Sequence, residues 1–253
     1  MDEEQVGTGA GGAHETASAP RAVAAATPVV LVPGFWLGAW AWDAVADALR
    51  DAGFDPRPVT LPGQAPGDPR DGVTREQQVG AVVALLDELD GPVLLVGHSG
   101  GGAVVGEVVD RRPERVARVV YVDSGPLEDG AVLAPGDGDV PLPPWSEVEA
   151  SSLVDLDDAA LAVFRERAVP VPALVAHGPV HVSDPRRLSV PATVVCTSIS
   201  SEVLRTIAHH GPPLHTELGD LADVTYVDLP TGHWPMFSRP AELARVIAAA
   251  VAG

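Results

Sequence analysis

Short apolar runs recur along this chain, each followed by turn-forming residues and then by a stretch with helical spacing. Pro28-Val29-Val30-Leu31-Val32, Val93-Leu94-Leu95-Val96, Val116 to Val122, Ala192 to Thr197 and Val224 to Leu229 are runs of buried-strand type. Arg57 to Leu61 predicts a further strand, closed by Pro62-Gly63. Between these runs the period changes. Ala39 to Ala52 puts Trp42, Val45 and Leu49 on one helical face. Thr74, with Gln77 three residues on, opens a helix reaching about Leu89. Further helices are expected after Ser99, ending at Pro113, over Glu202 to Ala208, and over Pro240 to Ala252. Strand and helix alternate four times before Asp123, which predicts an α/β fold: a parallel sheet with helices on both faces.

The alternation breaks after Asp123. Residues 125–188 are rich in Pro, Asp and Gly, with one helical stretch from Asp157 to Arg167. An excursion of that length inside a compact domain is usually functional, and it is read as a cap inserted in the sheet domain. The expected organisation is therefore a disordered tail over residues 1–26, a core domain over 27–124 and 189–253, and the cap over 125–188.

Composition narrows the function classes. The formal net charge is −19 over 253 residues, which disfavours a nucleic-acid partner. Every basic residue is arginine, so Schiff-base lysine chemistry and the P-loop lysine are excluded. The single cysteine, Cys196, rules out an intrachain disulfide framework and reads as a core strand residue. No apolar stretch is long enough to cross a bilayer, and the acidic start lacks the order of a secretory signal. A cytoplasmic protein without a membrane partner is expected, as monomer or homodimer. No zinc-ligand motif such as H-E-x-x-H is present, so neither metal nor cofactor is expected.

One segment carries chemistry. Gly97-His98-Ser99-Gly100-Gly101-Gly102 directly follows the run Val93–Val96. A serine there sits on a sharp strand-to-helix turn with its hydroxyl pushed toward a cleft. A serine hydroxyl needs a base to become a nucleophile at neutral pH. His233 follows the last predicted strand; His14, His177, His181, His209, His210 and His215 read as ordinary tail, cap or surface residues. In an open parallel sheet, loops at the carboxyl ends of the strands share one crevice, and Ser99, Asp123 and His233 all fall in such loops. His98 is expected to pack or to shape the pocket rather than to act as base.

With these residues in view, the chain resembles the α/β-hydrolase fold. Val30 to Trp40 and Gly232-His233-Trp234-Pro235-Met236 are most similar to the small plant-type esterases and hydroxynitrile lyases and their bacterial relatives. The resemblance covers residues 28–252. It implies an oxyanion hole made of the backbone amides of Phe35 and Gly100. It also implies a triad acid after the strand that follows the cap, but there the chain reads Cys196-Thr197-Ser198-Ile199-Ser200, with Ile199 in the usual aspartate position. Some members of the fold carry their acid one strand earlier, which here is Asp123; Glu202 is the alternative.

The expected function is serine-dependent cleavage of a small hydrophobic ester or lactone, through an acyl-enzyme on Ser99. Trp36, His98 and Trp234 are expected around the substrate, while Trp40 and Trp42 are expected to pack. A dehalogenase would need a carboxylate where Ser99 stands. The lyases place a lysine where this chain has Trp234. The competing reading is a non-catalytic ligand binder, supported by the missing acid at Ile199.

Overall fold

The computed structural model describes residue 1, residues 26–210 and residues 217–251. The expected tail, His14, His215 and the last two residues lie wholly or largely outside that range.

In chain order the elements are β1 (Pro28–Val32), α1 (Asp43–Asp51), β2 (Asp55–Pro58), α2 (Arg75–Glu88), β3 (Val93–His98), α3 (Gly101–Arg111) and β4 (Val116–Val122). After β4 come α4 (Asp158–Arg167) and α5 (Ala173–Ala176), then β5 (Ala192–Cys196), α6 (Ser201–His210), β6 (Val224–Asp228), α7 (Pro235–Ser238) and α8 (Pro240–Ala249). All five strand pairings are parallel, in the order β2-β1-β3-β4-β5-β6.

The apolar runs are continuous because the inner strands are covered on both faces. Successive side chains point to opposite sides. Val29, Leu31, Leu94, Val96, Val120 and Val122 pack with Trp42, Leu49, Leu243 and Ile247 on the α1 and α8 side. Val30, Val32, Leu95, Val119 and Tyr121 pack with Val79, Leu86, Val104 and Val108 on the α2 and α3 side. The chain leaves β1 for β2 on one side and returns to β3 on the other. That reversal opens a crevice beyond the carboxyl ends of β1 and β3, where an open α/β sheet receives its ligand.

Two boundaries differ from expectation. The strand expected over 57–61 forms over Asp55–Pro58, because pairing with Pro28–Leu31 sets its register. Pro56 and Pro58 are tolerated since β2 lies at the sheet edge. The helix expected from Ala39 begins as one tight turn over Ala39–Trp42 before α1. The capping box forms as expected: Thr74 accepts from the Gln77 backbone, and the Gln77 side chain accepts from the Thr74 backbone. Asp157 caps α4 through the Ala160 N–H. Among the described residues no helix is long and apolar enough to cross a membrane.

The chain between β4 and β5 holds α4, α5 and several short tight turns, and the core grips it at several places. Trp36 donates from its indole to the Val140 carbonyl (3.0 Å), and its own carbonyl accepts from Val169 (3.0 Å). Arg75 is buried against Glu107 (2.6 Å) and donates to the carbonyls of Val175 (2.9 Å) and Gly178 (2.8 Å). Asp110 accepts from the backbones of Ser183 and Asp184, both at 2.7 Å. Arg75 therefore serves two purposes, satisfying a buried carboxylate and tying the excursion to α2.

Arg75→Met should cost about 3–5 kcal/mol of unfolding free energy, because it leaves the buried Glu107 carboxylate with only the more distant Arg111 guanidinium, 4.0 Å away. Urea denaturation reads this directly. A loss below about 1 kcal/mol, the range of exposed pairs, would contradict it.

Candidate active site

The turn after β3 is shaped by close approaches. A Cβ on Gly97 would lie 2.6 Å from a Val105 methyl, and one on Gly101 would lie 2.5 Å from the Pro33 carbonyl oxygen. Between them Ser99 takes φ +50°, a left-handed backbone that a serine adopts only where its surroundings enforce it. Its N–H donates to Val122 (3.1 Å), and its carbonyl accepts from the Gly102 N–H (2.8 Å) and the Ser124 hydroxyl (2.9 Å). The backbone is held on three sides and the hydroxyl is left to the crevice.

That hydroxyl lies 2.8 Å from Nε2 of His233, and Nδ1 of the same ring lies 2.5 Å from Oδ2 of Asp123. The tautomer consistent with both contacts has Nδ1–H donating to the carboxylate and Nε2 accepting from the serine. Asp123 leaves the end of β4 with φ +44°, its N–H donating to Val195 on the neighbouring strand (2.9 Å). Its Oδ1 accepts from the backbones of Thr197 (3.3 Å) and Ser198 (3.0 Å), and its Oδ2 also accepts from the Ser198 hydroxyl (2.6 Å). Burial pushes its pKa upward, but the bond and charge of His233, with the Ser198 and Thr197 donors, outweigh this and hold the carboxyl well below its usual range. Ser198, which sequence reasoning did not single out, is thus a partner of Asp123; its signal was its place just after β5.

Glu202 is exposed on the first turn of α6 and makes no hydrogen bond to His233. Ile199 is 43% exposed and contributes no polar group.

The loop carrying His233 is fixed from two directions. The Gly232 N–H donates to Val154 (3.2 Å) and the His233 N–H to Ser152 (2.8 Å), both in the excursion between β4 and β5. Arg239 pairs with Asp155 in the same segment (2.8 Å). From the core side, Nε2 of His98 lies 2.7 Å from the His233 carbonyl oxygen and must donate to it. His98 is fully buried, and its Nδ1 has no partner. Burial first, and the neighbouring His233 second, lower its pKa to about 3, so the ring is neutral. A Cβ on Gly34 would lie 2.8 Å from that Nδ1, which is why the loop after β1 needs glycine there.

Phe35 and Gly100 meet at the other side of Ser99. A Cβ on Gly100 would strike the Phe35 ring at 2.5 Å. Among the described residues neither backbone N–H has a hydrogen-bond partner. The arrangement can therefore deprotonate a hydroxyl through an imidazole held by a carboxylate, beside two uncommitted backbone donors.

A solvent-open cavity of about 480 Å³ beside the Asp123–His233 pair is lined by these two, Ser124 and mostly apolar side chains from the segments after β4 and β5. Trp36, His98 and Trp234, expected around the substrate, do not line it. Trp36 grips the excursion, and His98 lies beneath the His233 carbonyl. Trp234 is 3% exposed and packs edge-on against Phe164 (5.1 Å between ring centres) and Trp145 (6.4 Å). Trp42 is fully buried as expected, and Trp40 stacks on Phe237 (5.6 Å). Cys196 is buried, and burial drives its thiol up to about 12, as for an inert core residue. Among the described residues no group of three or more His, Cys, Asp or Glu is placed to hold a metal ion.

Comparison with known proteins agrees with this architecture. A sequence model of the alpha/beta hydrolase family matches residues 29–246. The chain is 33% identical over 105 residues to putative methylesterase 14, chloroplastic, of Arabidopsis thaliana, a stretch covering 40% of this chain and 30% of that protein. It thus spans under a third of the length of the plant relatives first matched. It is 29% identical over 197 residues to lipase LipV of Mycobacterium tuberculosis, covering 69% of this chain and 74% of the lipase. It is 36% identical over 152 residues to the carbendazim hydrolyzing esterase of a Nocardioides species, covering 57% and 60% of the two chains. Among solved structures, an extracellular alpha/beta-hydrolase of a Paenibacillus species superposes with a TM-score of 0.72 at 22% identity, over 88% of this chain and 98% of that one. That likeness is one of fold.

The buried His98 sets a pH dependence of stability. Folded, it stays neutral down to about pH 3; unfolded, a histidine takes up its proton near pH ~6.5. Between these values the unfolded chain binds more protons, so acidification removes stability, by up to about 1.4 kcal/mol per pH unit. Denaturant titrations from about pH 6.5 to 5 should show the wild type losing more per pH unit than His98→Gln. Equal slopes would contradict a neutral, buried ring.

Proposed function

The chain belongs to the alpha/beta hydrolase family, and we propose that it acts there as a serine-dependent carboxylic ester hydrolase on small hydrophobic esters or lactones. The observation that carries this reading is the unbroken contact from Asp123 through His233 to the Ser99 hydroxyl, at 2.5 and 2.8 Å.

In the proposed mechanism His233 Nε2 takes the Ser99 proton as Oγ attacks the substrate carbonyl. Asp123 holds the ring in the tautomer that can accept that proton and stabilises the imidazolium that forms. The developing oxyanion accepts from the backbone N–H groups of Phe35 and Gly100, each worth a factor of order 10²–10³ in rate. His233 then returns the proton to the leaving oxygen. In a lactone that oxygen stays tethered to the acyl group. Water, deprotonated by the same histidine, releases the acid. The positive end of α3 points at the same spot and favours the negative charge.

The segment between β4 and β5, read as a cap, contributes the backbone acceptors at Ser152 and Val154 that seat the histidine loop. Esterase, lipase and methylesterase names among the relatives support ester chemistry. The competing reading of a non-catalytic binder drew on the absence of an acid at Ile199, and loses that support with a carboxylate already on His233.

A fluorophosphonate probe should label wild-type protein at Ser99 and leave Ser99→Ala unlabelled, with ester hydrolysis lost in parallel. A wild type that stays unlabelled, or a Ser99→Ala variant that keeps turning over esters, would overturn the assignment.

A further inference from the structure

The cavity beside His233 borders the machinery described above at Asp123, Ser124 and His233, and the rest of its described wall is nearly all apolar. Leu127, Leu133, Ile199, Leu204, Ile207 and Leu218 form most of its wall. Its polar groups are already engaged. Both Asp123 oxygens accept from His233, Thr197 and Ser198. The Ser198 hydroxyl donates to Asp123, and the Ser124 hydroxyl donates to the Ser99 carbonyl. No other charged side chain lines it among the described residues. Among the described residues, a ligand group placed there would meet mostly apolar contact surface, with no charged side chain left unpaired to receive it.

The cavity's position says which part of an ester it faces. Three directions leave the tetrahedral carbon on Ser99: the oxyanion, the acyl group and the leaving oxygen. The oxyanion points at Phe35 and Gly100, which do not line this cavity. The leaving oxygen must come within reach of the His233 ring to receive its proton; His233 and Asp123 line the cavity while Ser99 does not, so the cavity lies on the histidine side of the nucleophile, where the alcohol departs.

We infer that this cavity binds the alcohol portion of the substrate, and that this portion is a bulky, uncharged, apolar group. The inference rests on the serine-hydrolase reading and extends it to a substrate class. The step balances simply. The Ser99 Oγ–acyl bond forms, the acyl–oxygen bond breaks, and the proton taken from Ser99 leaves with the alcohol.

Volume favours bulk. A cavity of roughly 150 Å³ holds one benzene ring, so 480 Å³ accommodates a fused or paired ring system and is left mostly empty by a methyl group. The side chain at 199 belongs to the same design. The resemblance puts an aspartate there; with the carboxylate at Asp123 instead, position 199 presents an apolar wall near the mouth. Ile199 is thereby a specificity-determining residue rather than a lost acid.

The test holds the acyl group constant. Wild-type kcat/KM is measured on methyl, benzyl and 2-naphthylmethyl acetate, which share one acetyl-enzyme and have alcohols of similar leaving ability. A matched set of ethyl esters with lengthening acyl chains is run beside it. The naphthylmethyl ester should exceed the methyl ester by about tenfold or more, since each added apolar group in a fitting pocket is worth roughly that factor. Ile207→Asp, which puts a charge in the wall, and Leu204→Trp, which fills it, should each cut this ratio at least about tenfold. Thermal unfolding of both variants checks that they are folded. No dependence on alcohol size, or variants that change the acyl series instead, would overturn the inference while leaving the serine mechanism standing. Failure to turn over any ester, together with no fluorophosphonate label on Ser99, would remove the mechanism and this inference together.

Discussion

The Asp123 carboxylate is where the constraints of this fold meet. It stands at the end of β4 on a left-handed backbone, tied by its N–H to β5, by one oxygen to the backbone after β5, and by the other to Ser198 and the His233 ring. Four adjacent strand ends must be in register for those contacts to form together. The sheet order supplies that register: β3 carries Ser99, β4 carries Asp123, β5 carries the donors to Asp123, and β6 leads to His233. A slip between any two would separate the Ser99 hydroxyl from the His233 ring.

The histidine loop has no strand of its own to hold it, so it borrows support. Below it lies the buried His98 ring, donating to the His233 carbonyl. Above it lie Ser152 and Val154, accepting from the loop's N–H groups. The segment between β4 and β5 therefore supports the histidine loop. Trp36, Arg75, Asp110 and Arg239 fasten it to the core at separate points, and that fastening reaches the ring that faces Ser99. Preorganisation of this kind is costly in buried polar groups and gains precision in return.

Much of this was legible in the chain. Continuous apolar runs gave the inner strands, Thr74 and Asp157 marked helix starts, and the glycines around Ser99 marked the sharp turn. The substitution of Ile199 for an acid, read with Asp123 at a strand end, pointed to the carboxylate that lies on His233. Other features depend on contacts between distant segments, which have no local signature. The expected Arg57–Leu61 strand moved because its partner set the register. Trp36 and Trp234 looked like pocket residues because they flank the glycine loop and His233, yet one indole is spent on Val140 and the other on an aromatic cluster. The backbone bonds from Ser152 and Val154 involve no side chain, so nothing in the residue types announces them.

Asp123 as the proposed acid is tested most directly by one comparison: p-nitrophenyl butyrate hydrolysis by the wild type, Asp123→Asn and Glu202→Gln, each confirmed folded. The geometry predicts that Asp123→Asn lowers kcat by roughly 10³–10⁴-fold, because the amide favours the wrong histidine tautomer, while Glu202→Gln stays near the wild-type rate. Near-normal turnover by Asp123→Asn, or a collapse confined to Glu202→Gln, would contradict it.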